Sequence, residues 1–285
     1  MRELPADQYP KAQALVRAVP FNNLFARVVL EGKVWGRVLV DDEVHPSVCL
    51  VVHKYGMALL CGSNANSSFN RSLRGFLQND ALNDGSAKWL ICHPGEWEGT
   101  LTTLLGRELA GEPSSREEPS ATERRSRSIL KTERVNFKFD GRLPNRREIP
   151  AGFTLRRVDS NLCDRIQGTV IPEYFWNSAQ VFLSDGIGFS LLTEGQVVST
   201  AFSSFIVEDK LELGVETDPR YRGRGLASFP AIELLDYCVS HGYEPVWACR
   251  RGNIPSFRLA LKLGFSPATF HPYYILPAGK GGVRS

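Results

Sequence analysis

Residues 214–228 read GVETDPRYRGRGLAS and alternate Arg222 and Arg224 with Gly223 and Gly225. The residues ahead of them suit a strand, and those from Leu226 and Ala227 through Ser228 and beyond suit a helix. A strand that enters a helix through such a turn presents unpaired amides and a partial positive charge at the helix start. Glycines let the backbone wrap an anion with no Cβ in the way, and the arginines add charge-assisted contacts. A pyrophosphate is the natural ligand for this chemistry.

Several kinds of turn fit the spacing. One is a tight turn that does no more than cap a helix. Another is a dinucleotide fingerprint, because Gly223, Gly225 and Ser228 approach G-x-G-x-x-G/A. Two features oppose that reading: only one strand and its helix follow before the terminal strand, and Glu244, near the spacing of a ribose-binding acid, precedes Pro245 instead of ending a strand. A P-loop is excluded, since the turn lacks Gly-Lys-Ser/Thr.

The elements around the turn form a mixed α+β pattern. Strands are expected at 153–158, 188–193, 196–206 and 210–217, the last three joined by Glu194-Gly195 and Glu208-Asp209 hairpin turns. A helix over 224–241 follows, interrupted by Pro230, which predicts a kink or a delayed start. A strand at 245–249, a helix at 254–263 and a strand near 268–276 complete this half. Asp159 or Ser160 caps a short helix before the sheet, and a second helix lies near 177–183.

In the first half, Ala12, Leu15, Val16 and Val19 recur at helical spacing and stop at Pro20. The Val- and Leu-rich runs 24–30, 34–40, 48–53 and 56–61 predict an antiparallel meander. A helix is expected at 67–82, a strand at 89–93, and a helix opened by Pro94 and carrying Trp97, Leu101, Leu104 and Leu105. Residues 111–128 are dense in Pro, Ser and both charge signs and predict a mobile loop; 141–150 is a second polar connector after a strand at 135–139. A domain at 1–140 and another at 150–285 follow.

The 285 residues are 42% hydrophobic, enough for a substantial core, and carry a formal net charge of +3. That charge is spread along the chain, which disfavours a nucleic-acid partner. The six cysteines lie far apart with no C-x-x-C pair, so no metal site is expected. With neither a signal-like start nor a long apolar run, the expectation is a cytoplasmic protein with no membrane partner. The oligomeric state is not legible.

The turn resembles the Q/R-x-x-G-x-G/A signature of the GCN5-related N-acetyltransferases, with Arg222, Gly225 and Ala227 in its three diagnostic places. A second stretch agrees: residues 253–265, NIPSFRLALKLGF, are similar to that superfamily's N-x-x-A/S…L-G-F element and follow a strand containing Trp247. Together the two cover roughly residues 188–276. In detail the run looks most like the two-domain branch that contains zwittermicin-type antibiotic resistance proteins.

The resemblance implies a mostly antiparallel sheet flanked by helices, preceded by an N-terminal α/β domain, with acetyl-CoA as co-substrate. It implies that the strand around Val215 and Thr217 splays from its neighbour to pair with the pantetheine arm. Arg222, Gly223, Arg224, Gly225, Leu226, Ala227 and Ser228 would hold the pyrophosphate, and Asn253 and Ser256 would contact the arm near the sulfur. Transfer to an amine needs a proton acceptor, for which Glu216 at the strand end is the candidate base. Ala260 stands where many members carry a proton-donating Tyr, so Tyr273 or Tyr274 is the candidate substitute. Trp176, with Glu173, Tyr174 and Phe175, is expected to border the acceptor pocket.

The implied activity is acetyl transfer to a primary amine of a small molecule such as an amine-bearing or peptide-like antibiotic. A regulatory module that binds acetyl-CoA without turnover, and acetylation of a protein or aminoacyl-tRNA, are the rivals.

Overall fold

A computed structural model describes residues 1–78, 88–111 and 128–276. The stretch expected as a mobile loop lies almost wholly outside the described residues, as does the end of the 67–82 helix. In chain order the elements are β1 (Arg2–Glu3), a 3₁₀ turn (Ala6–Ala12), α1 (Gln13–Arg17), α2 (Leu24–Leu30), β2 (Gly36–Val40), β3 (Val48–His53), β4 (Met57–Gly62), α3 (Ser67–Gln78), β5 (Trp89–His93), α4 (Trp97–Leu105), β6 (Leu109–Gly111) and β7 (Ile129–Phe139). They continue as β8 (Phe153–Arg157), α5 (Ser160–Cys163), α6 (Pro172–Phe175), α7 (Ala179–Asp185), β9 (Gly188–Thr193), β10 (Gln196–Val207), β11 (Lys210–Thr217), α8 (Ser228–Ser240), β12 (Glu244–Arg250), α9 (Ile254–Lys262) and β13 (Phe265–Ile275). This is the mixed, mostly antiparallel sheet with flanking helices that the sequence implies. Among the described residues no helix is long and apolar enough to cross a membrane.

The chain forms two compact units, one of Met1–Val135, Cys249–Ile254 and Thr269–Ser285, the other of Asn136–Ala248 and Pro255–Ala268. A boundary drawn in the 141–150 connector therefore misses two returns of the chain to the first unit. The second return has a plain cause: Tyr273, Tyr274 and Ile275 lie opposite Ile91, Leu90 and Trp89 of β5 in antiparallel register. In this unit β1 through β4 pair antiparallel in sequence order and β4 pairs parallel to β5. Leu50, Leu60, Phe69, Phe76, Trp97 and Tyr274 close its core.

Residues 24–30 depart from expectation: they form helix α2, not a strand. All seven are buried, Arg27 included, so the segment shows no polar face and its Val and Leu content imitates a buried strand. The 5–19 helix is realised as a 3₁₀ turn and one short helix, with Pro10 inside the 3₁₀ turn. The helix assigned to Pro94 begins at Trp97 instead, whose amide donates to the Pro94 carbonyl.

In the second unit β8, β9, β10 and β11 pair antiparallel in order, and β11 pairs parallel to β12. The hairpin turns carry Glu194 and Glu208 at positive φ beside the expected breaks. Ser178 and Asp159 cap α7 and α5 by accepting from Val181 and Leu162 amides. Trp176 is buried: its indole donates to the Ser203 carbonyl at 2.8 Å, and it packs on Phe182. It is thereby a core residue of this unit, while Tyr174 beside it is exposed.

Register in β10 and β11 shifts between Ser203, opposite Leu213, and Phe205, opposite Glu212, leaving Ser204 as the extra residue, while Gly214 lies opposite Phe202. A Cβ on Gly214 would lie 2.4 Å from Ser204 Oγ and 2.7 Å from the Phe202 ring. Gly214→Ala is accordingly expected to destabilise the protein by about 1–3 kcal/mol, read as a lower urea midpoint at unchanged m-value.

Candidate acyl-donor site

Only Lys210, Leu211 and Glu212 of β11 register with β12, opposite Glu244, Pro245 and Val246. β11 runs on through Leu213, Gly214, Val215, Glu216 and Thr217 with no strand in register on that edge among the described residues. The two parallel strands thus part, as the resemblance implies. The strand end is anchored on its other side: Ser199 Oγ donates to the Glu216 carbonyl at 3.0 Å and lies 2.8 Å from Thr217 Oγ1, and the Asp218 amide donates to the Val198 carbonyl. Asp218 then turns the chain. Its carboxylate accepts from the Arg220 side chain and amide, which pulls its pKa down to about 2.

The loop that follows carries Gly223 at φ +75° and Gly225 at φ +72°, left-handed values that favour glycine. Leu226 is buried with Phe229 against Leu191 and Val198, which fixes the loop to the sheet. The amides of Gly223, Arg224, Gly225, Leu226 and Ala227 donate to no group among the described residues. Helix α8 starts at Ser228, later than the pattern suggested, which leaves Pro230 at its third position, where no intrahelical amide is needed. Pro230 delays the helix and does not break it.

Two cations missed by sequence reasoning converge on this loop. A Cβ on Gly225 would lie 3.6 Å from Lys262 Nζ and 3.9 Å from Arg147 Nη2. Arg147 donates to Ser228 Oγ at 2.7 Å and stacks on the Phe229 ring, and its neighbour Arg146 is held to α8 by Glu233 and Asp236. Arg222 points elsewhere: its Nε donates to the Thr217 carbonyl at 2.9 Å and its Nη2 to Glu216 Oε1 at 3.0 Å. The Arg224 guanidinium lies against the Tyr221 ring.

Glu216 is 9% exposed and accepts at both oxygens, from Thr169 and Val170 on one and from Arg222 and Thr217 on the other. Asn253 belongs to the first unit, its amide donating to the Arg250 carbonyl, while Ser256 is half-buried in the first turn of α9 in the second. Ala260 is fully buried on α9. Tyr273 and Tyr274 both lie in the first unit, on opposite faces of β13. The Arg134 guanidinium sits 5.5 Å from the centre of the Tyr273 ring.

Tyr274 is closed into the core, and burial pushes its phenol up. Its hydroxyl finds no partner among the described residues. Tyr274→Phe, which removes a buried and unsatisfied polar atom, is therefore expected to raise stability by about 1 kcal/mol in urea unfolding.

The sequence profile of the GNAT acetyltransferase family matches residues 20–274. An uncharacterized N-acetyltransferase of Bacillus subtilis (strain 168), YdfB, is 26% identical over 252 residues, 88% of this chain and 89% of that protein. Among solved structures, a GCN5-related N-acetyltransferase-like protein from Streptococcus suis 89/1591 superposes with a TM-score of 0.68 at 22% identity, covering 95% of this chain and 99% of the other. A GCN5-related N-acetyltransferase from Sphaerobacter thermophilus gives 0.58 at 13% identity, covering 96% and 93%. A tandem GNAT protein from the clavulanic acid biosynthesis pathway gives 0.54 at 13% identity, covering 98% of each. The open strand edge and the glycine loop thus belong to a chain that the profile covers almost end to end, and the chain belongs to the GNAT acetyltransferase family, acyltransferases that use acetyl-CoA as co-substrate.

Proposed function

We propose that this N-acetyltransferase moves the acetyl group of acetyl-CoA to a primary amine of a small molecule, and that the amine belongs to an antibiotic-like or peptide-like metabolite. The run of five undonated amides at 223–227, set between Arg147 and Lys262, carries the cofactor part of this reading. That loop takes the pyrophosphate of acetyl-CoA, and the unpaired edge of β11 at Val215 and Thr217 takes the amide-bearing pantetheine arm by strand-like pairing. Both lie in the second unit. An amide on that edge also suits the thioester carbonyl, where a donor stabilises the oxyanion formed as the amine attacks. The tetrahedral intermediate then collapses with cleavage of the C–S bond; the amine nitrogen gives up a proton and the released CoA thiolate takes one up.

Of the two candidate proton donors, Tyr273 is 5% exposed and Tyr274 is fully buried with no partner for its hydroxyl among the described residues, so Tyr273 is the one retained. Asn253 and Ser256 keep their assignment to the arm near the sulfur. The small-molecule acceptor rests on the modest, dispersed charge of +3 and on the resemblance to the antibiotic-resistance branch. Incubation with acetyl-CoA and a panel of primary amines should release free thiol. Release with no amine of a broad panel, alongside tight acetyl-CoA binding, would favour a binding module without turnover.

A further inference from the structure

We propose that Glu216 is a positioning residue, which clamps the 168–170 turn and the Arg222 side chain to the end of β11, and that it does not take the proton of the acceptor amine. The proposal rests on the acetyl-CoA reading of the adjoining loop. A carboxylate offers about four lone-pair directions. Glu216 meets five donors: on Oε2 the Thr169 amide at 2.8 Å, the Val170 amide at 3.0 Å and the Thr169 hydroxyl at 3.2 Å, and on Oε1 Arg222 Nη2 at 3.0 Å and the Thr217 amide at 3.1 Å. No direction is left for an incoming amine, since a base must face the proton it removes within hydrogen-bond reach.

The turn is built around that carboxylate. Gly168 has φ +140°, and a Cβ there would stand 2.5 Å from Glu216 Cγ and 2.7 Å from Oε2. On the other side, Arg222 is tied to Glu216 and to the Thr217 carbonyl, so the chain entering the glycine loop is braced to the strand edge. Glu216 thereby joins the two surfaces the donor needs, the strand edge and the anion loop, through charge-assisted bonds that fix orientation as well as energy.

Two substitutions test this. Glu216→Gln replaces an acceptor with an amide that cannot accept all five bonds. Gly168→Ala leaves every titratable group in place and pushes the turn off the carboxylate. Each is expected to weaken acetyl-CoA binding by about tenfold in calorimetry, the loss of one or two hydrogen bonds to a charged group. With the most reactive amine of the panel, KM for acetyl-CoA should rise by the same factor and kcat should fall less than tenfold. A kcat loss of a hundredfold or more with unchanged KM in Glu216→Gln, or wild-type affinity in either variant, would overturn the proposal. Should Gly168→Ala fail to fold, Thr169→Val removes the hydroxyl bond to Glu216, keeps both amide bonds and should weaken binding about threefold; unchanged affinity again overturns the clamp. If the wild-type protein binds no acetyl-CoA, the underlying reading falls. The clamp is then decided by amide exchange without ligand: faster exchange at Thr169 and Val170 in Glu216→Gln supports it, and retained protection refutes it.

Discussion

Gly225→Glu is expected to abolish measurable acetyl-CoA binding, a loss of more than about a hundredfold. Three effects act in one direction. Gly225 sits at φ +72°, where any side chain is strained; its Cβ would enter the space between Lys262 Nζ and Arg147 Nη2; and the added carboxylate would pair with those cations in the ligand's place. The measurement is calorimetry with acetyl-CoA, supported by a circular dichroism spectrum to show that the sheet survives. Gly225→Ala separates the causes. It keeps the backbone strain without the charge and should retain part of the affinity. Binding by Gly225→Glu at wild-type strength would remove the loop from the donor site.

The second large effect concerns the two cations. Arg147→Ala combined with Lys262→Ala should weaken acetyl-CoA binding by about a hundredfold in dilute buffer, and the deficit should shrink in 1 M salt, where the Debye length falls to about 3 Å. Salt dependence is the deciding feature, because Arg147 also packs on Phe229 and its loss alone mixes packing with charge. Lys262→Ala carries no such ambiguity, and its share of the loss should be almost wholly screened. A deficit of the same size at low and high salt would mean that the double variant acts through the loop's shape instead of through its field.

The glycine loop was legible because its chemistry is local: Gly223, Gly225 and the helix start lie within six residues, and left-handed φ values demand the residue type seen. Pro230 was legible for the same reason, its missing amide setting where α8 can begin. Arg147 was not, since it reaches Gly225 and Ser228 from 78 and 81 residues away and sits in a connector whose composition reads as plain solvated charge. The filled coordination of Glu216 was hidden likewise, its partners Thr169 and Val170 lying 47 and 46 residues back in an unpatterned stretch. Residues 24–30 failed for a different reason: a helix buried on every side has no amphipathic period to read. The return of Tyr273, Tyr274 and Ile275 to β5 is a pairing of high sequence separation, which hydrophobic alternation does not encode.

The parting of β11 from β12 after Glu212 and Val246 bears on the lifetime of the folded chain. A row of unpaired strand groups is a template for another chain, and other sheets blunt such edges with charge, proline or a covering segment. Here, on the proposed reading, the covering segment is the co-substrate itself, which completes a ladder the polypeptide leaves unfinished. Occupancy then counts toward folding by mass action, worth about 2.7 kcal/mol when acetyl-CoA stands a hundredfold above its Kd. The melting temperature would climb with acetyl-CoA concentration, and a cell short of acetyl groups would hold this enzyme in its least durable form.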